Sequence, residues 1–198
     1  MLERGLAVAR EWNLPFLVAG NSGSLGYVYA LQGRAEDGLP LLEQALGVFE
    51  KMQHRFAQSL FLVSLSEAYM RFDRPAEALN FAQRALTLAR EHGQRSGEAS
   101  ALRLLGEASV SGDLSGHAEG YYREALALAM KLEMGPLAAH CHFGLGKMYL
   151  RGGLPDRARD QLTTVTMMYR EMDMGFWLDQ ANVEMRQLQV VDRPRTTS

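Results

Sequence analysis

A chain of 198 residues with 47% hydrophobic content carries enough apolar side chain for a continuous core. Its 21 lysines and arginines against 23 acidic residues leave a net charge of -2, which gives no basic field for a phosphate backbone and argues against nucleic acid as a partner. No apolar run is long enough to span a bilayer, and the single cysteine, Cys141, fits a reducing compartment, so a cytoplasmic protein without membrane contact is expected.

The first segment, residues 2–12, reads as an amphipathic helix, and its Glu3, Arg4, Arg10 and Glu11 interrupt any signal-peptide core. The same columns recur at 42–52, 82–92, 122–132 and 162–172, where they form the second helix of a pair. First helices are predicted at about 16–31, 56–71, 96–111 and 136–151. Leu25, Leu65, Leu105 and Leu145 form one column of the repeat and Gly26, Ser66, Gly106 and Gly146 the next, with Tyr29, Tyr69, Ser109 and Tyr149 three residues later. The period is 40 residues without a slip, the signature of a stacked repeat protein in which each unit covers its neighbour's apolar face. No stretch alternates as a strand does, so the fold class is all-α.

Turns within pairs carry Gly33, Asp73, Gly112 with Asp113, and Gly152 with Gly153, residues that tolerate a left-handed backbone. Between pairs, Asn13 with Pro15, Gly93, Gly135 with Pro136, and Gly175 break the helices. Glycine inside a helix costs roughly 1 kcal/mol, so Gly26, Gly106 and Gly146 call for a close helix crossing in return. The small column Gly38, Ala78, Ala118 and Ala158 is the expected opposing half.

Units are expected at 13–52, 53–92, 93–132 and 133–172, with residues 1–12 as the second helix of a truncated repeat. Residues 175–191 read as a capping helix whose Trp177, Leu178, Ala181, Met185 and Leu188 cover the fourth repeat while Arg186 faces outward. Together 1–191 form one array, and 192–198 a disordered tail. An array that opens on a second helix is expected to be a fragment of a longer protein. The side of that helix left without a partner predicts weak homodimerisation.

The leucine, glycine and tyrosine of the first helices, with the alanine columns of the second, resemble the tetratricopeptide repeat (TPR). The period of 40 resembles its longer subtype, and the stretch from His140 to Leu188 resembles the C-terminal repeats of bacterial proteins joining a class III nucleotide cyclase and an ATPase module. The resemblance implies a right-handed α-solenoid of stacked antiparallel helix pairs whose first helices line a concave groove. Carried onto this register, the groove positions are Gly23, Val63, Arg103 and Phe143; Tyr27, Glu67, Glu107 and Lys147; and Leu31, Arg71, Ser111 and Arg151. No repeat combines the lysine and asparagine of the family's carboxylate clamp, so that mode of peptide capture is not expected. Groove function is expected to rest on Tyr27, Glu67, Arg71, Arg103, Glu107, Phe143, Lys147 and Arg151.

Other chemistry reads poorly. His140, Cys141 and His142 are adjacent, whereas metal ligands on one helix need a spacing of three or four. Gly146-Lys147 lacks the serine or threonine and the earlier glycine of a phosphate-binding loop, and no strand precedes Gly20, Gly23 and Gly26. Gly20 and Gly23 instead suggest a weakened helix or an approach for a ligand backbone. Met167, Met168, Met172 and Met174 suit packing near the cap. Neither a catalytic constellation nor a cofactor or metal site can be assembled. The expected function is protein or peptide binding in the groove, and the alternative is a ligand-sensing arm controlling an attached cyclase or ATPase.

Overall fold

The computed structural model describes residues 2–110 and 115–191. Gly112, Asp113, groove position Ser111 and the tail from residue 192 lie outside the described residues. Within them the chain forms helices α1 Leu2–Glu11, α2 Pro15–Leu31, α3 Ala35–Lys51, α4 Arg55–Arg71, α5 Pro75–Glu91, α6 Arg95–Val110, α7 Ser115–Lys131, α8 Gly135–Arg151, α9 Pro155–Glu171 and α10 Gly175–Val191. From α2 onward each helix starts 20 residues after the last, so the 40-residue period is a helix pair divided evenly in two.

Turn chemistry sets that beat. Gly33, Asp73 and Gly153 hold positive φ within pairs, and Asn13, Gln53, Gly93, Glu133 and Asp173 hold it between pairs. Two expected breakers act differently, because Gly135 and Gly175 are the first residues of α8 and α10, and the left-handed residue two positions earlier is Glu133 or Asp173. Pro15, Pro75 and Pro155 open α2, α5 and α9, where the missing N–H has no intrahelical partner to lose.

Consecutive helices pack as antiparallel neighbours, and the first helices α2, α4, α6, α8 and α10 also approach one another in order. Among the described residues the second helices α3, α5, α7 and α9 make no such mutual approach. A stack whose first helices touch while its second helices fan apart must curve with the first helices inside. This solenoid therefore has a concave face built by α2, α4, α6, α8 and α10.

The repeat columns form the core. Leu65, Leu105 and Leu145 are buried, as are Ala45, Ala85, Ala125 and Val165. Burying one such leucine contributes about 1.5–3 kcal/mol. Gly26 and Gly38 oppose each other as expected: a Cβ on Gly26 would lie 2.7 Å from the Gly38 carbonyl oxygen, and one on Gly38 would lie 2.6 Å from the Gly26 oxygen. In the second repeat the Ser66 hydroxyl donates to the Ala78 carbonyl at 2.9 Å. The third and fourth repeats differ from expectation, since the atoms nearest Gly106 belong to the Tyr122 ring and those nearest Gly146 to Leu162, not to Ala118 or Ala158. A bulky residue one turn beyond the small column fills the crossing, and the glycine makes room for it.

At the C-terminal end Trp177, Leu178 and Met185 pack with Phe143, Leu162 and Tyr169, and Leu188 joins Leu145 and Tyr149. Arg186 is exposed. Met168, Met172 and Met174 pack against this cluster, whereas Met167 lies exposed and leaves the expected packing group. At the other end α1 buries Leu6 and Ala9 against α2 and exposes Val8 at 54%, and Trp12, in the turn just past it, is 71% exposed.

Candidate functional site

Polar side chains on three successive first helices form a continuous ladder across the concave face. The Tyr27 hydroxyl of α2 donates to Glu67 Oε2 of α4 at 2.5 Å. Glu67 Oε1 accepts from Arg103 of α6, whose other terminal nitrogen donates to Glu107 Oε2 at 2.8 Å. The Arg103 side chain is only 12% exposed. Burial opposes its charge, but Glu107 and Glu67 outweigh burial and hold the guanidinium firmly protonated. Burial, then the Glu67 charge, pushes the Tyr27 phenol up, so it stays a neutral donor. Arg103 Nε is buried with no hydrogen-bond partner.

Beside the ladder lies a cavity of about 430 Å³, within the usual range for small-ligand sites. Tyr27, Glu67, Arg71, Arg103, Glu107, Phe143 and Lys147 all line it, so seven of the eight expected groove residues converge on one space. Arg151 does not reach the lining and sits exposed on the last turn of α8. A second cavity of about 390 Å³ shares Glu67, Arg103 and His140 with the first and adds Val63, Met134 and Leu137.

Several lining residues escape the repeat register. Tyr122 arrives from a second helix, and its ring passes between α6 and α8 because Gly106 and Gly144 leave no side chain in the way. A Cβ at Gly144 would stand 2.4 Å from that ring. The glycines spaced across α6 and α8 were the available signal. Phe176, Trp177 and Gln180 of α10 close the far end, so α10 is also a wall of the site.

His140, Cys141 and His142 diverge. His140 Nδ1 shares a 2.8 Å hydrogen bond with the Tyr169 hydroxyl, and its ring meets Trp177 edge-on at 4.6 Å. His142 Nδ1 pairs with Gln161 Oε1 at 2.7 Å. Burial, reinforced by Arg103, pushes the His140 pKa down to about 4, leaving a neutral imidazole. Burial pushes the Cys141 thiol up to about 12, far from a reactive thiolate. Gly23 corrects an expectation, because a Cβ there would strike the Phe61 ring at 2.3 Å and Ala45 at 2.7 Å, so the space is occupied by core and not by a ligand backbone.

By sequence alone the chain matches no family model and no curated protein. Solved structures do match its shape. BtubC (BKLC) from P. vanneervenii superposes with a TM-score of 0.77 at 20% identity, over 96% of this chain and 81% of that one. The TPR-like repeats of a putative kinesin light chain from Podosopora anserina superpose at 0.64 and 15% identity, over 89% and 95% of the two chains. The fold is a TPR-like repeat solenoid. A signal transduction ATPase with numerous domains from Pyrococcus horikoshii, which carries a tetratricopeptide repeat sensor, superposes at 0.72 and 19% identity over 89% of this chain but 28% of that one. At such low identity the superpositions show the TPR-like architecture alone and leave function to the site. No described helix is long and apolar enough to cross a membrane.

Proposed function

We propose that this chain is a protein-interaction module that holds a peptide or partner domain against its concave face. The observation that carries the reading is the convergence of Tyr27, Glu67, Arg71, Arg103, Glu107, Phe143 and Lys147, from four first helices, on one cavity. Mixed charge beside aromatic surface suits a partner with both kinds of group. Residues 1–191 act as one array in this reading, with units of the longer, 40-residue repeat subtype.

A second reading is favoured by the size and partial enclosure of the cavity: a regulatory arm that senses a small ligand and controls an attached nucleotide cyclase or ATPase. Part of the Pyrococcus horikoshii ATPase, a protein with a tetratricopeptide repeat sensor, is similar in shape. An affinity pulldown and a metabolite thermal-shift screen separate the two. A retained protein partner supports the first reading, and a stabilising small molecule without a protein partner supports the second. We further propose weak self-association through the exposed side of α1, where Val8 and Trp12 stand.

A further inference from the structure

We propose that the concave cavity binds a planar organic anion, with its aromatic body against Phe143 and Trp177 and its carboxylate or phosphoryl group on Lys147 and Arg71. This assigns a chemical class within the ligand-sensing reading and rests on that reading, independently of any protein partner. Charge balance decides the sign. Of the five charged side chains lining the cavity, Glu67, Arg103 and Glu107 already satisfy one another through the ladder. Arg71 and Lys147, from α4 and α8, make no ion pair among the described residues. The ladder, two carboxylates on one guanidinium, keeps one net negative charge, so the five together sum to +1, and the two groups without an ion partner are both cations.

Lys147 is not idle: its ammonium lies over the Phe143 ring, 5.1 Å from the centroid. A cation held on an aromatic face is weakly committed compared with one hydrogen-bonded to an anion, so it can turn to a ligand without breaking an ion pair. The wall beneath is aromatic. Phe143 and Trp177 meet edge-on with centroids 6.4 Å apart, and Phe176 abuts Trp177 at 5.3 Å. Tyr122 supplies the floor through the Gly106 and Gly144 notch. The neutral His140 imidazole adds no cation that would blur the pairing.

Isothermal titration of the whole chain with indole-3-carboxylate, phenyl phosphate, neutral indole and cationic tryptamine tests this. Saturable binding of either anion, tighter than indole and tryptamine and weakened by added salt, is expected; whichever anion binds more tightly identifies the group. Lys147→Met and Arg71→Met should each weaken it by roughly tenfold while helicity by circular dichroism is unchanged. Quenching of Trp177 fluorescence, read in a Trp12→Phe background, should track the titration. Binding of no anion, or anion binding indifferent to both substitutions, would overturn the proposal. Tighter binding of indole or tryptamine would overturn the anion assignment and leave the cavity as a ligand sensor.

Discussion

Gly20 and Gly26 lie on the same helix, less than two turns apart, and alanine at each should move stability in opposite directions. Intrinsic helix propensity favours both substitutions by about 1 kcal/mol. At Gly20 nothing lies within 4 Å of the new Cβ, so that gain is kept. At Gly26 the Cβ would stand 2.7 Å from the Gly38 carbonyl oxygen, 2.8 Å from Leu41 Cβ and 3.1 Å from the Leu42 nitrogen. Two of these three are backbone atoms, which cannot swing aside as a side-chain end would. Overpacking of this kind costs about 1–3 kcal/mol, and the rigid contacts place Gly26→Ala at the upper end, for a net loss of about 1–2 kcal/mol. In a chain of this size each 1 kcal/mol moves Tm by roughly 2–4 °C. Thermal melting followed at 222 nm should then show Gly20→Ala raised by about 2–4 °C and Gly26→Ala lowered by a comparable or larger amount. Gly146→Val, against the buried Leu162, should likewise lower Tm far more than Arg186→Val on the exposed side of the cap. Shifts of the same sign for the first pair, or of equal size for the second, would refute the packing register.

Arg103→Met should destabilise by roughly 1–3 kcal/mol, because it leaves Glu67 and Glu107, both partly exposed and screened by solvent, facing each other without their shared cation; Glu67→Gln added to it should recover part of the loss in a double-mutant melt. His140 is held neutral by burial with its pKa near about 4, below the ordinary value, so the unfolded chain binds its proton first as pH falls. The stability it contributes is complete above about pH 6.5 and is lost as pH falls toward about 4, and the pH dependence of Tm in that window should flatten in His140→Gln. Self-association through α1 should appear in sedimentation across a concentration series and vanish in Trp12→Glu. Leu6 would be a poor probe of it, because Leu6 is buried against α2 and its substitution would unfold the helix contact; a monomer at all concentrations would exclude the association.

The helix pairs were legible because the same contacts repeat, so residues serving one packing position return every 40 places. Leu65, Leu105 and Leu145 illustrate this, each buried in its own repeat. That Glu67, Arg71, Glu107 and Lys147 line one cavity was legible for a related reason, since they stand on first helices at the offsets from the glycine column that the resemblance implies. The ladder was less so. Tyr27 meets Glu67 at a separation of 40, but Glu67 meets Arg103 at 36, one helical turn short of a repeat, and only the stagger of α4 against α6 shows that. Tyr122 was hidden because it belongs to a second helix and enters the cavity only where two glycines on different helices coincide. Gly23 was misread for the converse reason: the Phe61 ring that fills its space comes from the next repeat, 38 residues on. Trp177 was readable as packing on the fourth repeat, and its place in the cavity wall emerges only once α10 is seen to end the cavity.

The claim on which the functional account stands is that partners are held on the concave face. Its most direct test is quantitative affinity capture with the wild-type chain, the concave double variant Arg71→Glu with Lys147→Glu, and a control reversal, Lys131→Glu, at the end of the second helix α7. Partners retained by the wild type and by Lys131→Glu but lost from the concave double variant, with helicity equal in all three, is the result predicted. The same partners retained by all three chains, or a loss confined to Lys131→Glu, would contradict it.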